Sequence, residues 1–396
     1  MRVNKHAYAI GLMTGTSADG IDAVLAQITE TESEYPVIQM VDSLFAPFDT
    51  HQRERILSLC RKNAPLYDVA RVHTELGHWL GDTVNELLEN TAVPRECIRV
   101  IGMHGQTIAH YPGTEEQTHG FTVQIGDPAV LAAETGIDVV SHFRQMDVAM
   151  GGQGAPLVPY FDFAVFHSSR ESRVLLNIGG ISNITILLQE AQIDEITGFD
   201  TGPGNMVLDA LMEQITGGKQ HYDASGELAR QGKTHEGLLA LWLQHPYFTR
   251  KPPTSCGREQ FGREYSLGLY QQMKEVGLSA EDMMRTATAF VAASIRQAIS
   301  RHAPTSVALI AAGGGCHNPV LMNELVSGLS LIRPWETTDN YGVPGDMKEA
   351  MAFAYLAWQF IHNRATSIPH ITGARKSVRQ GMLTPGRIPV EARETE

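Results

Sequence analysis

Cysteine is scarce: Cys60, Cys97, Cys256 and Cys316 are the only four in 396 residues, and no two form a CxxC pair. That spacing suggests neither a metal knuckle nor a disulfide framework, and the expectation is reduced thiols. Long apolar runs are missing, since nothing approaches the ~18 residues a membrane-spanning helix requires. Met1-Arg-Val-Asn-Lys-His leads straight into strand-like residues without the apolar centre of a secretory signal. A cytoplasmic protein is expected. Positive charge is short as well, with 31 Lys and Arg against 44 Asp and Glu for a net charge of −13. A field of that sign argues against nucleic acid or an anionic membrane surface as a main partner. Any anionic ligand must therefore be met by a local site. Two nucleotide signatures are also absent: the Gly-Lys-Ser/Thr ending of a P-loop, and G-x-G-x-x-G followed by an acidic residue about 20 positions on. The histidines form no metal-ligating HxxxH or HxxH pattern.

What is present is ample core. Hydrophobic residues make up 43% and charged residues 19% of the chain, the profile of a globular protein. At this length two domains are the prior. Apolar stretches Tyr8–Met13 and Ile21–Ile28 flank Thr14-Gly-Thr-Ser-Ala-Asp-Gly20, which predicts strand, tight turn, strand. A third strand is possible around Val37–Phe45. Val72, Leu76, Trp79, Leu80, Val84, Leu87 and Leu88 share one face of a helix predicted over 71–91. A short buried strand, Ile98–Met103, runs into His104-Gly-Gln-Thr107, and another is read at 137–140. Asp127-Pro128 opens a helix as cap and first-turn proline. Gly151–Pro159 then breaks the pattern.

A second cycle begins at Arg173. Arg173–Leu188 is again strand, small polar turn, strand, a third strand ends at Asp200, and helices are predicted at 205–217, 285–302 and 347–362. Val307–Ala312 reads as a buried strand entering Gly313-Gly-Gly315. Two related α/β halves with a ligand between them are the expected organisation.

The chemistry-bearing residues sit at the strand ends. In the first turn, Gly15 and Gly20 let backbone N–H groups approach an anion, and Thr14, Thr16 and Ser17 add hydroxyl donors. Asp19 and Asp22 could hold a magnesium ion or its waters beside phosphate oxygens. An ordinary glycine-rich hairpin is the alternative. Further glycine turns at Gly179–Ser182 and Gly313–Gly315 favour a nucleotide held by backbone, the last packing under adenine or ribose. Asp200 stands at the mouth of its strand and could take a proton from water or a sugar hydroxyl, or could serve as an Asx-turn or helix cap. Glu349 near its helix start is either a ligand contact or a favourable charge on the helix dipole. His104, Gln106 and Thr107 offer polar groups to a polyhydroxylated ligand, although His104 alone would more simply be a turn residue. Arg144 and Asp147 could hold a substrate carboxylate and a further hydrogen bond, or pair with each other.

Six segments, taken in order, carry a resemblance: Gly11–Asp22, His104–Thr107, Gly151–Pro159, Asn177–Asn183, Gly198–Asn205 and Glu349–Ala354. In them the chain resembles the anhydro-N-acetylmuramic acid kinases almost end to end. The resemblance implies an α/β, two-domain actin-like (ribonuclease H-like) ATPase fold, each domain a mixed sheet flanked by helices, with the active site in the interdomain cleft. It implies domain I over 1–142 plus 363–396 and domain II over 143–362. It implies ATP and Mg²⁺ as cofactors. The implied reaction uses ATP and water to open a 1,6-anhydro ring and phosphorylate the freed 6-oxygen, in cell-wall recycling. Asp200 is the implied water-activating base. ATP would be held by Gly15, Thr16, Ser17, Ala18, Asp19, Gly20, Ile21, Asp22, Gly179, Gly180, Asn183, Gly202, Gly204, Asn205, Gly313, Gly314 and Gly315. The sugar would be held by His104, Gly105, Gln106, Thr107, Arg144 and Glu349, and a homodimer is the expected assembly. The chain departs from the family pattern at Thr14, often Ser, and at Thr201, often Cys. Thr254 and Cys256 replace a usual Lys and Thr, while Arg258 is kept.

Overall fold

A computed structural model describes residues 7–15, 17–112 and 120–386. The chain forms two compact units, Met1–Val165 with Met347–Glu396, and Phe166–Asp346. The crossings therefore fall at 165/166 and 346/347, not at 142/143 and 362/363 as the sequence reading placed them. The reason is packing. The helix Lys348–Ile361 lies on the strands of the first unit, and nearly all of its residues are buried. An all-round apolar helix gives no sign of which sheet it covers.

In the first unit the strands are β1 (Ala7–Met13), β2 (Gly20–Thr29), β3 (Val37–Pro47), β4 (Ile98–Met103), β5 (Gln106–Tyr111), β6 (Phe121–Ile125) and β7 (Val139–Ser141). Its main sheet runs β7-β4-β1-β2-β3, with the strand Met382–Thr384 outside β7, and β5-β6 form a separate hairpin. β1 and β4 are parallel and buried on both faces over most of their length, so they are continuously apolar rather than alternating, apart from the exposed Arg99 near the start of β4. Ile10 and Leu12 point into a core built with Val72, Leu76, Leu80, Val84 and Leu87 of the helix Leu66–Glu89. By the period-2 rule Gly11 faces the other way. Gly11 pairs with Gly102 on β4, and two adjacent glycines leave a groove in the sheet. A Cβ on Gly11 would overlap the Ala350 carbonyl, and one on Gly102 the Phe353 carbonyl, so the backbone of the helix Lys348–Ile361 fills that groove.

The second unit contains β8 (Arg173–Ile178), β9 (Ile181–Leu187), β10 (Thr197–Pro203), β11 (Ala308–Ala312) and β12 (Glu336–Thr337), in the order β12-β11-β8-β9-β10. This is the order of the first sheet repeated. In each, an antiparallel run of three strands (β1-β2-β3, β8-β9-β10) is joined on one side by two parallel strands (β4-β7, β11-β12). The faint sequence echo between the halves is a repeated topology. The core of this unit centres on the helix Ala280–His302, with Met284, Ala287, Phe290, Val291 and Ile295 wholly buried.

The expected element boundaries hold to within a few residues, the helix predicted over 347–362 being Lys348–Ile361, except that the helix predicted over 285–302 starts at Ala280 and the one predicted over 71–91 starts at Leu66. The α/β class with a mixed, helix-flanked sheet in each unit stands. Among the described residues no helix is long and apolar enough to cross a membrane.

Candidate functional site

In the first unit the β1–β2 turn is closed by the Ala18 N–H donating to the Gly15 carbonyl at 3.1 Å, with Ala18 at a positive φ of 51°. Ala18 and Ile21 bury their side chains in the core, so only their backbone can serve a ligand. The Ser17 hydroxyl donates to Asp19 Oδ1 at 2.6 Å, and the Asp19 carbonyl accepts from Phe48 N–H at 2.8 Å. Asp19 is exposed at the tip, while Asp22 is partly buried one turn-length inward, opposite Met13. Thr16 lies outside the described residues. The buried Thr14 hydroxyl has no hydrogen-bond partner among the described residues, an uncommon state for a hydroxyl and one that a ligand or water would relieve.

Where β4 ends, His104 is buried with both ring nitrogens engaged. Arg144 Nε donates to its Nε2 at 3.0 Å, and the Gly105 carbonyl lies 2.7 Å from its Nδ1. A guanidinium can only donate, so Nε2 accepts, Nδ1 carries the proton, and the ring is neutral. Burial, with Arg144 beside it, holds His104 well below the ordinary histidine range. His104 thus acts on Arg144, where the sequence suggested a direct offer to ligand. The other end of Arg144 is fixed by Nη1 donating to the Gly154 carbonyl at 2.8 Å. The Gly151–Gly154 loop is in turn held by Asp147, which accepts from Gly154 N–H at 2.8 Å and from the Thr372 hydroxyl at 2.7 Å. Asp147 is fully buried, and it supports Arg144 through this loop rather than by pairing with it.

Glu349 occupies the first turn of the helix Lys348–Ile361 and is partly exposed. Burial pushes its carboxyl above the ordinary glutamate value, and Arg144 and Lys348 pull it back. Lys348 itself is spent in a buried ion pair with Asp162 at 2.7 Å. His104, Arg144 and Glu349 are therefore brought into one electrostatic neighbourhood. Gln106 and Gln124 are buried beside Thr107, each with a side-chain carbonyl that has no partner among the described residues. Gln124, which donates to the Thr107 hydroxyl at 3.2 Å, was not singled out by sequence. Its signal was the alternation of β6, which buries Thr122, Gln124 and Ile125 against exposed Phe121 and Val123. Gly105 sits at φ 72°, where any side chain would be strained and a Cβ would also overlap the Ile125 carbonyl.

In the second unit Asp200 lies on β10, an edge strand, opposite Asn183 of β9. The ladder slips between Asp200 and Gly202, a bulge that re-aims side chains, and the Thr201 hydroxyl donates to the Ser182 carbonyl at 3.1 Å across the gap. The outer side of β10 is covered by the segment 247–256. Asp200 N–H donates to the Thr254 carbonyl at 3.1 Å, and the Tyr247 hydroxyl donates to the Asp200 carbonyl at 2.6 Å. Burial pushes the Tyr247 phenol far above its usual range, so it stays a donor. Cys256 N–H donates to Asp200 Oδ2 at 3.0 Å. The carboxylate is partly exposed and its backbone is pinned from outside the sheet. Because the contacts at 254 and 256 use mainly backbone atoms, the departures from the family pattern there leave them possible.

Three glycine turns of this unit meet around Asn205, the first residue of the helix Asn205–Thr216. Its N–H donates to the Gly179 carbonyl at 2.8 Å, and the N–H groups of Gly204 and Met206 donate to the Gly180 carbonyl. The first helix amides that could have met a phosphate are thereby capped by protein carbonyls, which leaves Gly204 and Asn205 their shape and the Asn205 side chain. Asn205 Nδ2 reaches the Ile178 carbonyl at 3.2 Å. Gly313 takes a φ of 85°, and a Cβ on Gly315 would overlap Ile178, so the Gly313–Gly315 turn must lie flat against the end of β8. Gly202, at φ 126°, is pressed against Phe248, 2.8 Å from where its Cβ would be.

Among the described residues no group of three or more His, Cys, Asp or Glu is arranged to hold a metal. A magnesium ion of a phosphoryl-transfer site asks for less, one or two carboxylates with phosphate oxygens completing its shell. The hard-oxygen donors Asp19 and Asp22, three residues apart on one hairpin, fit that requirement.

A family model described as anhydro-N-acetylmuramic acid kinase matches residues 7–386. Curated proteins of that name resemble the chain over nearly its whole length. The one from Saccharophagus degradans is 40% identical, covering 96% of this chain and 100% of its own. Those from Vibrio parahaemolyticus and Caldanaerobacter subterraneus are 38% and 36% identical over 94% and 95% of this chain, and 97% and 96% of their own. Among solved structures, the activator of 2-hydroxyisocaproyl-CoA dehydratase from Clostridium difficile aligns at TM-score 0.44 and 11% identity, covering 89% of this chain and 94% of its own. A ROK family glucokinase from Streptomyces griseus aligns at TM-score 0.37 and 10% identity, covering 89% and 99%. The chain belongs to the anhydro-N-acetylmuramic acid kinase family.

Proposed function

We propose that this chain uses ATP and water to open the 1,6-anhydro ring of anhydro-N-acetylmuramic acid and phosphorylate the freed 6-oxygen, with Asp200 as the base. The observation that carries the role of Asp200 is its carboxylate, partly exposed and fixed by the Cys256 N–H, on a strand pinned by Thr254 and Tyr247. Asp200 takes a proton from water as the water oxygen attacks the anomeric carbon. The C1–O6 bond breaks with its electron pair passing to O6. O6 then attacks the γ-phosphorus of ATP, and the pair of the breaking P–O bond leaves with ADP. Phosphoryl transfer needs mainly positioning and charge stabilisation. Backbone and hydroxyl donors of the turn at Gly15–Gly20 serve the phosphates. Asp19 and Asp22 would hold magnesium, which supplies charge neutralisation when bound. Gly179, Gly180, Asn183, Gly202, Gly204, Asn205 and Gly313–Gly315 shape the nucleotide surface of the second unit.

For the sugar, Arg144 is the cation suited to its carboxylate, held in place by neutral His104 and by the Gly154 carbonyl. Glu349 and Thr107, with Gln106 and Gly105 shaping the loop, face the hydroxyls and the acetamido group. The product, a sugar 6-phosphate, feeds peptidoglycan recycling. A cytoplasmic homodimer is the state in which we expect it to act, and light scattering of the purified chain measures that state.

The decisive variant is Asp200→Asn, which keeps shape and the Cys256 hydrogen bond but loses basicity. Turnover is expected to fall by about 10³-fold, within the range assigned to general bases, while ATP affinity measured by calorimetry stays within a factor of about three. Near-normal turnover would remove Asp200 from the mechanism.

A further inference from the structure

A cavity of about 680 Å³ opens in the second unit where β10 begins, lined by Thr197, Thr249, Arg250, Lys251, Arg301 and His302, with Pro252. Its lining is unlike the rest of the molecule. The chain carries a net charge of −13, yet three permanent cations and an imidazole line this pocket and no carboxylate does. Among the described residues none of the ion pairs involves Arg250, Lys251 or Arg301. Arg301 donates to the Phe248 carbonyl, and Arg250 lies over the Tyr247 ring at 5.7 Å, contacts that orient both guanidinium groups without neutralising them. His302 stacks edge-on against Phe199 with centroids 5.0 Å apart; the Thr197 hydroxyl stands beside the cations, while that of Thr249 already donates to the Pro246 carbonyl at 2.9 Å. Unneutralised cations converging on a concave surface constitute an anion site, because like charges are otherwise kept apart at a cost.

We propose that this pocket binds a phosphate-bearing small anion, either inorganic phosphate or a phosphomonoester, at a place separate from Asp200 and the glycine turns. The volume admits a ligand the size of a phosphorylated sugar. Thr197 lies three residues before Asp200, about 10 Å along an extended strand. The segment that supplies Thr249–Pro252 to the pocket continues into Thr254 and Cys256, which hold Asp200. The anion therefore sits on the outer support of the catalytic carboxylate. The arm of the test that uses the enzyme's own sugar phosphate rests on the function proposed above; the arm that uses inorganic phosphate does not.

The test is equilibrium binding by calorimetry at fixed ionic strength, with a non-hydrolysable ATP analogue saturating the nucleotide site. Inorganic phosphate and N-acetylmuramate 6-phosphate are titrated separately into the wild-type chain and into Lys251→Ala and Arg250→Ser. Both replaced side chains are exposed, so folding is expected to survive, and a thermal melt of each variant checks it. Saturable binding weakened at least fivefold in each variant supports the site. A sugar phosphate that binds at least tenfold tighter than phosphate identifies the product as its ligand, and equal affinities identify free phosphate. No saturable binding of either anion, or binding that both folded variants retain unchanged, overturns the proposal. Neither result bears on kinase turnover, which is measured without added phosphate.

Discussion

Asp209, on the helix Asn205–Thr216, shows how a single residue can carry a pH signature unrelated to catalysis. Burial and the neighbouring Glu213, one turn on, push its carboxyl from the ordinary 3.8 up to about 7. The folded chain then binds this proton more tightly than the unfolded chain does, so stability is lost as pH rises from about 4 through about 7. Asp209→Asn removes the penalty. Thermal melts should show the variant about 3 °C or more above wild type at pH 8 and indistinguishable from it below pH 4. An equal gain at both values would mean that charge is not the cause. His104 works in the opposite sense, because burial and Arg144 keep it neutral across the physiological range, so its hydrogen bond to Arg144 does not switch. At this scale the sequence was informative about residue type and less so about role. It singled out His104 and Arg144 separately. That one positions the other follows only from a 3.0 Å hydrogen bond between residues forty positions apart.

Among the elements, the glycine pair Gly11–Gly102 fixes how closely the helix Lys348–Ile361 approaches its sheet, and hence where Glu349 stands. Backbone carbonyls of the helix occupy the space a side chain would need. Gly102→Ala is expected to cost about 2–3 kcal/mol, the upper part of the range for overpacking, read as a lower urea midpoint at unchanged slope. A variant as stable as wild type would show that the helix can back away from the strand. The same apolar runs that made β1 and β2 legible as strands hid this function, since a glycine in a strand pattern looks like a weakness or a bulge. The cover over β10 was equally hidden. Tyr247, Thr254 and Cys256 act on Asp200 through one hydroxyl, one carbonyl and one N–H some fifty residues away, and backbone atoms leave no side-chain pattern to read.

For the molecule as a whole, the repeat was the most useful feature of the chain and the hardest to defend from sequence. Two hairpins with small polar turns hinted at it, and the sheet orders β7-β4-β1-β2-β3 and β12-β11-β8-β9-β10 establish it. Strand-helix periodicity carried the α/β class. The limits of the two units were not legible, because they depend on which sheet an apolar helix covers. The family assignment adds an unusual demand to this architecture: one active centre must perform hydrolysis and phosphoryl transfer together. The direct test is reaction in ¹⁸O-labelled water with ATP and anhydro-N-acetylmuramic acid, quenched early and analysed by mass spectrometry. One labelled oxygen at the anomeric carbon, with an unlabelled phosphate ester at the 6-position, is the predicted result. A phosphorylated sugar that retains its anhydro ring, or carries no label at the anomeric carbon, would contradict the account.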